Sequence, residues 1–343
     1  MKINVLMTGG GAPGAPGIIK CLRKGSFIEL TTCDANPNAV GRYLHPDFFA
    51  IPKADDKNFI DTVFEECISR KIDVVVPLVT RELFHFAKYK NAFLDKGIRI
   101  LVSDYDALSI ANDKSRLYAY LSDKKIPVPN FRIVKSIEEF KDAIKALGFP
   151  GKRICFKPSV SNGSRGFRII DDNVDEFDLL FNYKPNSTYI RHNDIIRILS
   201  SSAFPELLVS DFLPGEEYSI DCLADNGKCM AAVPRVRKKM NNGISVEGEF
   251  IHDTSIIDYC KRIIEAIGLD GNIGIQVKES GKGECLILEI NPRLQGTVVA
   301  ALGAGINLPL LAVKKAMGME FSSEELQVKW GTRFSRFWDE VFY

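Results

Sequence analysis

This sequence lacks the residue groupings that mark several common kinds of site. Its eight cysteines include no C-x-x-C pair, and no two of its four histidines lie at metal-ligand spacing. Neither zinc nor a disulfide framework is therefore predicted, and the scattered cysteines are typical of reduced thiols. The sequence also has no G-x-S-x-G elbow and no Cys/His grouping, so nothing in it predicts a covalent nucleophile.

Long apolar runs and an excess of charge of one sign are missing as well. No uninterrupted apolar segment has the length that a membrane-spanning helix needs. The 45 Lys and Arg residues nearly balance the 44 Asp and Glu residues, so no general attraction to nucleic acid or to an anionic membrane is expected. The chain starts on a strand-like run without a charged leader before an apolar segment, and we expect a cytoplasmic protein.

The 343 residues are enough for two or three domains. Strand and helix patterns alternate over residues 1–112, which predicts a parallel α/β domain. A helix that opens at Asp113 begins a second region, 113–204. A third region, 205–343, is richer in antiparallel strand patterns.

The stretch MTGGGAPGAPG, residues 7–17, follows the first predicted strand and contains G-x-G-x-x-G between Gly9 and Gly14. Asp34 ends the second predicted strand, twenty residues beyond Gly14. This is the layout of a dinucleotide-binding fingerprint. Two prolines in the stretch remove backbone N–H groups that a pyrophosphate would use. The motif alone leaves NAD binding open.

Residues 274–293, GIQVKESGKGECLILEINPR, predict two strands joined by the four-residue turn SGKG. Glu289 and Asn291 alternate with apolar residues and therefore share one face of the second strand. A turn of four residues would place Gln276 opposite Ile287, on that same face. Alternate strand residues are about 6.5 Å apart, and such oxygen ligands suit Mg²⁺. The solvated face of an amphipathic hairpin explains the same alternation.

Two further segments offer positive charge to an anion. Lys157 ends a buried strand and precedes a Gly/Ser loop, residues 159–166, whose spacing is not that of a P-loop. Such a loop can cover phosphates, or it can be a plain surface hairpin. Arg293 follows the second strand of the predicted hairpin, where its guanidinium can hold a phosphoryl group or a carboxylate, or pair with Glu289.

The segment DFLPGEEYSID, residues 211–221, joins two predicted strands. An extended backbone at Phe212 and Leu213 can offer N–H and C=O groups to an adenine edge, and Glu217 can accept hydrogen bonds from ribose hydroxyls. The basic run at 235–239 has no accompanying aromatic residues, so we interpret it as a solvated strand end or an anion clamp.

The order of these segments resembles that of the ATP-grasp superfamily, most closely that of single-module relatives of the carbamoyl-phosphate synthase large subunit. K-P at 157–158 and E-I-N-P-R at 289–293 carry the resemblance, which covers essentially the whole chain. It implies an α/β and α+β architecture. A Rossmann-like pre-ATP-grasp domain (1–112) would precede a lid subdomain (113–204) and a C-terminal subdomain with a metal site (205–343). In this family the first domain binds no dinucleotide and helps to shape the acceptor-substrate cleft.

The resemblance also implies roles for the matching residues. Lys114 and Lys157 resemble the lysines that hold the α- and β-phosphates of ATP, and Arg293 resembles the arginine that stabilises the phosphoryl group. The remaining matches are the phosphate loop (Ser161, Gly163, Ser164, Gly166), the adenine hinge (Asp211, Phe212, Leu213), the ribose carboxylate (Glu217) and the metal ligands (Gln276, Glu289, Asn291). Asp211 and Gln276 depart from the family, where Glu is usual at the first position and an acid is frequent at the second. Two Mg²⁺ ions are expected with ATP, and Mn²⁺ is an alternative.

The implied chemistry is the ligation of a carboxylate to an amine. ATP would convert a small-molecule carboxylate into an acyl phosphate, which an amine or a similar nucleophile then attacks. The alternatives are a carbamoyl-phosphate synthase-like module, a non-catalytic ATP-binding regulator and an NAD-dependent oxidoreductase. Neither nucleic acid nor a membrane is an expected partner. The aromatic C-terminal stretch, residues 334–343, predicts packing on the core or on a second subunit, which leaves a homodimer open.

Overall fold

The structure is a computed structural model, and it describes residues 2–161, 163, 165–182, 188–241, 243–337 and 339–343. Its strands, in chain order, are β1 (Ile3–Met7), β2 (Ile28–Asp34), β3 (Phe48–Ala50), β4 (Val74–Val76), β5 (Arg99–Ile100), β6 (Phe131–Val134), β7 (Ile154–Pro158), β8 (Arg168–Ile170), β9 (Tyr189–Ile190), β10 (Leu207–Asp211), β11 (Glu217–Asp225), β12 (Lys228–Asn241), β13 (Ile244–Phe250), β14 (Gly271–Glu279), β15 (Cys285–Asn291) and β16 (Arg333–Ser335). Its helices are α1 (Ala15–Leu22), α2 (Gly41–Leu44), α3 (Phe59–Ser69), α4 (Thr80–Leu94), α5 (Tyr105–Ala111), α6 (Lys114–Asp123), α7 (Ile137–Ala146), α8 (Glu176–Asn182), α9 (His192–Leu199), α10 (Thr254–Ile267), α11 (Val299–Gly303) and α12 (Leu308–Ala316), with a short 3₁₀ helix at Glu324–Leu326.

The first sheet is entirely parallel and has the strand order β3-β2-β1-β4-β5. Residues 5–7 of β1 form a continuous apolar run, as expected of a strand whose two faces are both covered. Val5 and Met7 belong to one buried cluster, whereas Leu6 belongs to another on the opposite face. The parallel α/β architecture predicted for the first part of the chain is confirmed.

The second sheet has the order β6-β10-β7-β8-β9, and β10 runs antiparallel to both of its neighbours. Phe140 of α7 shares a buried cluster with Phe156 and Val209 from the sheet. The helix begins where it does because Ser136 caps it, accepting the backbone N–H of Glu139 at 3.1 Å. Because β7 and β10 are antiparallel, Pro158 at the end of β7 pairs with Leu207 at the start of β10.

The third sheet has the order β15-β14-β11-β12-β13-β16, in which β11, β12, β13 and β16 are antiparallel neighbours. The sequence predicts neither β13 nor β16, and it predicts a strand only at residues 230–236, where β12 is longer. α10 agrees closely with the helix that the sequence predicts at residues 255–267, because both ends carry clear signals. The Asp253 carboxylate accepts the backbone N–H of Ser255 at 2.9 Å, and Gly268 ends the helix with a φ of +75°.

By its internal packing, the chain divides into two compact units. The first comprises residues Met1–Ala111, Glu217–Gln276 and Ile290–Tyr343, and the second comprises Asn112–Glu216 and Val277–Glu289. β14 and β15 each contribute residues to both units. The three consecutive domains expected from the sequence stay a prediction. Among the described helices, none is both long and apolar enough to cross a bilayer.

The turn between β14 and β15 lies at the predicted residues. The backbone N–H of Gly283 donates to the carbonyl of Ser280 at 3.0 Å, which closes a turn of the four residues SGKG, and Gly283 has a φ of +79°. The backbone N–H of Ser280 also donates to the carbonyl of Glu284 at 2.8 Å. The opposition of Gln276 and Ile287 stays a prediction.

Candidate functional site

Lys114, in the second compact unit, is a buried cation with defined partners. It opens α6, where the Asp113 carboxylate caps the helix by accepting the backbone N–H of Arg116 at 3.0 Å. The Lys114 ammonium donates to the carbonyl of Ser161 at 2.8 Å and lies 3.6 Å from Oε2 of Glu289. Because a buried charge needs such partners, the cap and these contacts fix the position of the ammonium.

Lys157, in the same unit, is the second buried cation. Its ammonium donates to the carbonyl of Leu288 at 2.7 Å and lies 3.5 Å from the hydroxyl of Tyr118. That hydroxyl donates in turn to the carbonyl of Ile287 at 2.7 Å. Both lysine ammonium groups therefore contact the segment of β15 that ends at Glu289. Two positive charges at one segment suit an extended anion such as a phosphate chain.

The Gly/Ser loop after β7 contains glycines in the left-handed region, with φ values of +64° at Gly163 and +77° at Gly166. A Cβ atom at Gly166 would lie 2.6 Å from Cγ of Pro158, so the loop packs back on the end of β7. Ser161 supplies the carbonyl that Lys114 contacts. Ser164, also predicted to bind phosphate, lies outside the described residues.

The predicted adenine hinge follows β10 directly. The Asp211 carboxylate accepts a hydrogen bond from Nδ2 of Asn130 at 2.7 Å. Leu213 is buried, whereas Phe212 is half-buried, with the Lys278 ammonium 5.1 Å from its ring centroid. The side chains thus anchor the hinge, and its contact with adenine stays a prediction.

Glu217, at the start of β11 in the first compact unit, forms an ion pair with Arg237 of β12. Arg237 also donates from Nε to the hydroxyl of Ser245 at 3.1 Å and from Nη2 to the carbonyl of Gly243. Its side chain is only 4% exposed. The basic run is therefore more than a solvated strand end, because one of its arginines orients the carboxylate predicted to bind ribose.

The predicted metal ligands lie on β14 and β15. Glu289 and Asn291 flank the buried Ile290, so they share one face of β15, and Gln276 lies between two fully buried residues of β14. One carboxylate and two amide oxygens fit the oxygen preference of Mg²⁺. In the part of the chain that the structure describes, no three His, Cys, Asp or Glu side chains form a metal cluster. The binding of a cation by these residues stays a prediction.

Arg293 follows β15 and contacts the start of α4 within the first unit. Its Nε donates to the hydroxyl of Thr80 at 3.0 Å, and its Nη1 donates to the carbonyl of Leu294 at 2.9 Å. These two bonds fix the plane of the guanidinium. Sequence reasoning missed Thr80 because no spacing rule connects a helix start with an arginine so distant along the chain.

The glycine loop after β1 is closed by contacts within the protein. The Asp34 carboxylate accepts the backbone N–H of Gly11 at 2.7 Å. A Cβ atom at Gly14 would lie 2.6 Å from Cα of Gly296, so the chain itself covers the start of α1. A dinucleotide pyrophosphate would need that helix start. The structure therefore disfavours the NAD interpretation of the motif.

A buried carboxyl group lies beside this loop. The hydroxyl of Thr8 donates to Oε2 of Glu82, whose side chain is 5% exposed. Burial raises the pKa of Glu82 to about 7, with a smaller contribution from the charge of Asp34, while the Thr8 hydrogen bond opposes the shift. The carboxyl therefore changes its protonation near neutral pH.

Arg235 and Asp221 form an ion pair in which both side chains are almost fully buried. Nη2 of Arg235 donates to the hydroxyl of Ser219 at 3.1 Å, and this hydroxyl donates to Oε1 of Gln295 at 2.9 Å. Burial raises the pKa of Asp221 and lowers that of Arg235, while the opposite charge of each partner resists the shift. In the sequence, Asp221 is a charged residue within a largely apolar strand. A charge that is buried requires a partner, so this pattern was the signal for the network.

Two family models match separate parts of the chain. Residues 203–336 match a family described as "ATP-grasp in the biosynthetic pathway with Ter operon", and residues 5–101 match "PylC-like, N-terminal domain". The carbamoyl phosphate synthase large chain of Archaeoglobus fulgidus is 29% identical to this chain over 248 residues. That alignment covers 68% of this chain but 21% of the relative. The chain thus spans about a fifth of the length of this curated relative.

Solved structures share the fold at low sequence identity. An ADP complex of N5-carboxyaminoimidazole ribonucleotide synthetase superposes with a TM-score of 0.71 and 16% identity, over 95% of this chain and 79% of that one. The biotin carboxylase of Campylobacter jejuni, as a β-γ-ATP complex, superposes with a TM-score of 0.70 and 16% identity, over 96% and 74% of the two chains.

Proposed function

Because the chain belongs to the ATP-grasp superfamily, as the order of its motifs predicted, we propose that it is an ATP- and Mg²⁺-dependent ligase. It activates a small-molecule carboxylate as an acyl phosphate, and an amine attacks the acyl carbon to form a C–N bond. The observation that carries the proposal is the pair of ammonium groups, Lys114 and Lys157, buried against one segment of β15.

The proposed catalysis depends on positioning and charge neutralisation, which dominate phosphoryl transfer. Lys114 and Lys157 bind the α- and β-phosphates, and Arg293 stabilises the charge on the γ-phosphoryl group. The substrate carboxylate attacks the γ-phosphorus, the bond to the bridging oxygen breaks, and ADP leaves. The amine then attacks the acyl carbon, loses a proton and expels inorganic phosphate. No nucleophilic side chain is required.

The remaining roles follow the motif positions. Gln276, Glu289 and Asn291 would hold Mg²⁺, which when bound neutralises phosphate oxygens. Two ions, with Mn²⁺ as an alternative, are part of the proposal. The other nucleotide contacts are the phosphate loop (Ser161, Gly163, Ser164, Gly166), the adenine hinge (Asp211, Phe212, Leu213) and Glu217 at the ribose. The ADP and ATP complexes of the structural relatives support the choice of nucleotide.

A second candidate is a carbamoyl-phosphate-forming module. The similarity to a carbamoyl phosphate synthase large chain favours it, with bicarbonate as the carboxylate and ammonia as the amine. This chain spans only 21% of that relative, which favours ligation of a carboxylate other than bicarbonate. Both candidates use the same nucleotide chemistry, and the choice of substrate distinguishes them.

The proposal includes cytoplasmic action on small molecules and assembly as a homodimer. The ring of Tyr343 stacks on that of Tyr43 at a centroid distance of 3.8 Å, so the chain end packs on its own unit. Phe337 and Phe342 of the same stretch remain largely exposed, and they support contact with a second copy. Sedimentation of the purified protein tests this part.

The first experiment measures ADP release from Mg-ATP with amino acids, other small carboxylates and bicarbonate, each with and without an amine. Dependence on one organic carboxylate is the expected result. Dependence on bicarbonate and ammonia would replace the first candidate with the second. Tight Mg-ATP binding without turnover across the whole panel would contradict both and favour a nucleotide-binding regulator.

Two variants test the assigned residues. Glu289→Ala should abolish turnover without unfolding the protein, because it removes the carboxylate of the metal site. Its control, Glu284→Ala at an exposed position, should keep wild-type turnover. Lys157→Ala should weaken ATP binding by about 1.5–3 kcal/mol, the worth of a charge-assisted contact, and the exposed Lys152→Ala is its control. Wild-type turnover in Glu289→Ala would remove the metal assignment.

A further inference from the structure

We infer that Tyr118 is a positioning residue that holds the Lys157 ammonium in place for the nucleotide. The inference rests on the proposed function, because Lys157 has its phosphate-binding role only there. Tyr118 is fully buried and lies four residues after Lys114 in α6. Residues at that spacing share one helix face, so a single face of α6 presents a lysine and a tyrosine to β15.

The hydroxyl of Tyr118 joins Lys157 to β15. It donates its one hydrogen to the carbonyl of Ile287 at 2.7 Å, which leaves its oxygen lone pairs as acceptors for the Lys157 ammonium at 3.5 Å. The same ammonium donates to the next carbonyl along the strand, that of Leu288, at 2.7 Å. Lys157 is therefore fixed relative to two successive residues just before Glu289.

The ring of Tyr118 has a separate part in the structure. It packs edge-to-face on Phe131 at a centroid distance of 5.6 Å, and the Lys157 ammonium lies 5.2 Å from the ring centroid. Replacement by phenylalanine keeps both ring contacts and removes only the hydroxyl. The Tyr118→Phe variant therefore tests positioning without removing the packing that the fold requires.

The experiment measures the Kd of Mg-ATP by calorimetry for the intact protein and its variants. Tyr118→Phe should raise the Kd about threefold to tenfold, the range expected for one net hydrogen bond. Tyr120→Phe, a half-buried tyrosine two residues further along α6, is the matched control and should bind like wild type. An unchanged Kd in Tyr118→Phe would overturn the inference.

A double-mutant cycle separates positioning from a general effect on the fold. In a Lys157→Met background, Tyr118→Phe should cause no further change in Kd, because the ammonium it positions is gone. The same loss in both backgrounds would show that Tyr118 acts only on the fold, and would overturn the inference. Should Tyr118→Phe fold poorly by circular dichroism, the cycle is measured at a lower temperature at which its spectrum matches that of wild type, with the same expectations.

The two proposals fail in different ways. If Lys157→Met binds Mg-ATP like wild type, the phosphate assignment in the proposed function is wrong. If Lys157→Met binds weakly while Tyr118→Phe binds normally, only the positioning role of Tyr118 is wrong.

Discussion

The buried carboxyl of Glu82 predicts that the protein loses stability as the pH rises from about 4.5 to about 7. Burial raises its pKa from 4.5 to about 7 in the folded state. Between these values the folded protein binds a proton that the unfolded chain has released, so the free energy of unfolding falls as the pH rises. A shift of this size lowers the free energy of unfolding by about 3 kcal/mol, and this loss is complete above the folded-state pKa.

The substitution Glu82→Gln removes this titration while keeping an amide oxygen and a donor for the Thr8 hydroxyl. We expect the variant to gain about 2–3 kcal/mol relative to wild type between pH 5 and pH 8, since only wild type has to ionise a buried group. Urea unfolding at both pH values measures the difference. Glu65→Gln, the same change at an exposed position of α3, corrects for general charge effects. A difference between Glu82→Gln and wild type that stays constant with pH would refute the reasoning.

Two further substitutions test the packing of the first compact unit. Asp221→Ala leaves the buried Arg235 charge without its carboxylate and should cost about 3–5 kcal/mol in urea unfolding, whereas the double replacement Asp221→Leu with Arg235→Met should keep most of the stability. Equal losses in the single and double variants would contradict this account. Gly14→Ala places a Cβ atom 2.6 Å from Cα of Gly296 and should cost about 1–3 kcal/mol. Thermal unfolding measures this cost, with Gly281→Ala as the control, because nothing lies within 4 Å of a Cβ atom at Gly281. Similar melting temperatures for the two variants would show that the loop tolerates the extra atom.

Elements with strong local signals were predictable from the sequence. The sequence predicts a strand at residues 3–7 from its apolar residues and a helix at residues 59–69 from its helical spacing, and the bounds of β1 and α3 agree with both. α6 starts as expected after Asp113, whose side chain caps it. The first turn of α1 is rich in glycine and proline, and β16 has only three residues. Their formation depends on tertiary packing, which local patterns do not show.

The sequence indicates candidate site residues but not their contacts. Lys157 and Glu289 stand out through the segments around them, and their roles toward the nucleotide and the metal stay predictions. The partner that fixes Arg293 is Thr80, and the partner that orients Glu217 is Arg237. Each of these pairs joins residues of different elements, so no spacing in the sequence indicates it.

The buried cluster that covers one face of the first sheet also affects how the chain folds during synthesis. It combines Val5 and Ile18 from the start of the chain with Leu294, Ile306 and Leu311 from near its end. The ribosome releases the first of these residues long before the last, so the apolar side of α1 stays without its cover until residues 294–311 have been translated. Contacts this distant along the chain are also slow to form. The glycine loop, which packs on Gly296, therefore reaches its final packing only after that residue has been translated.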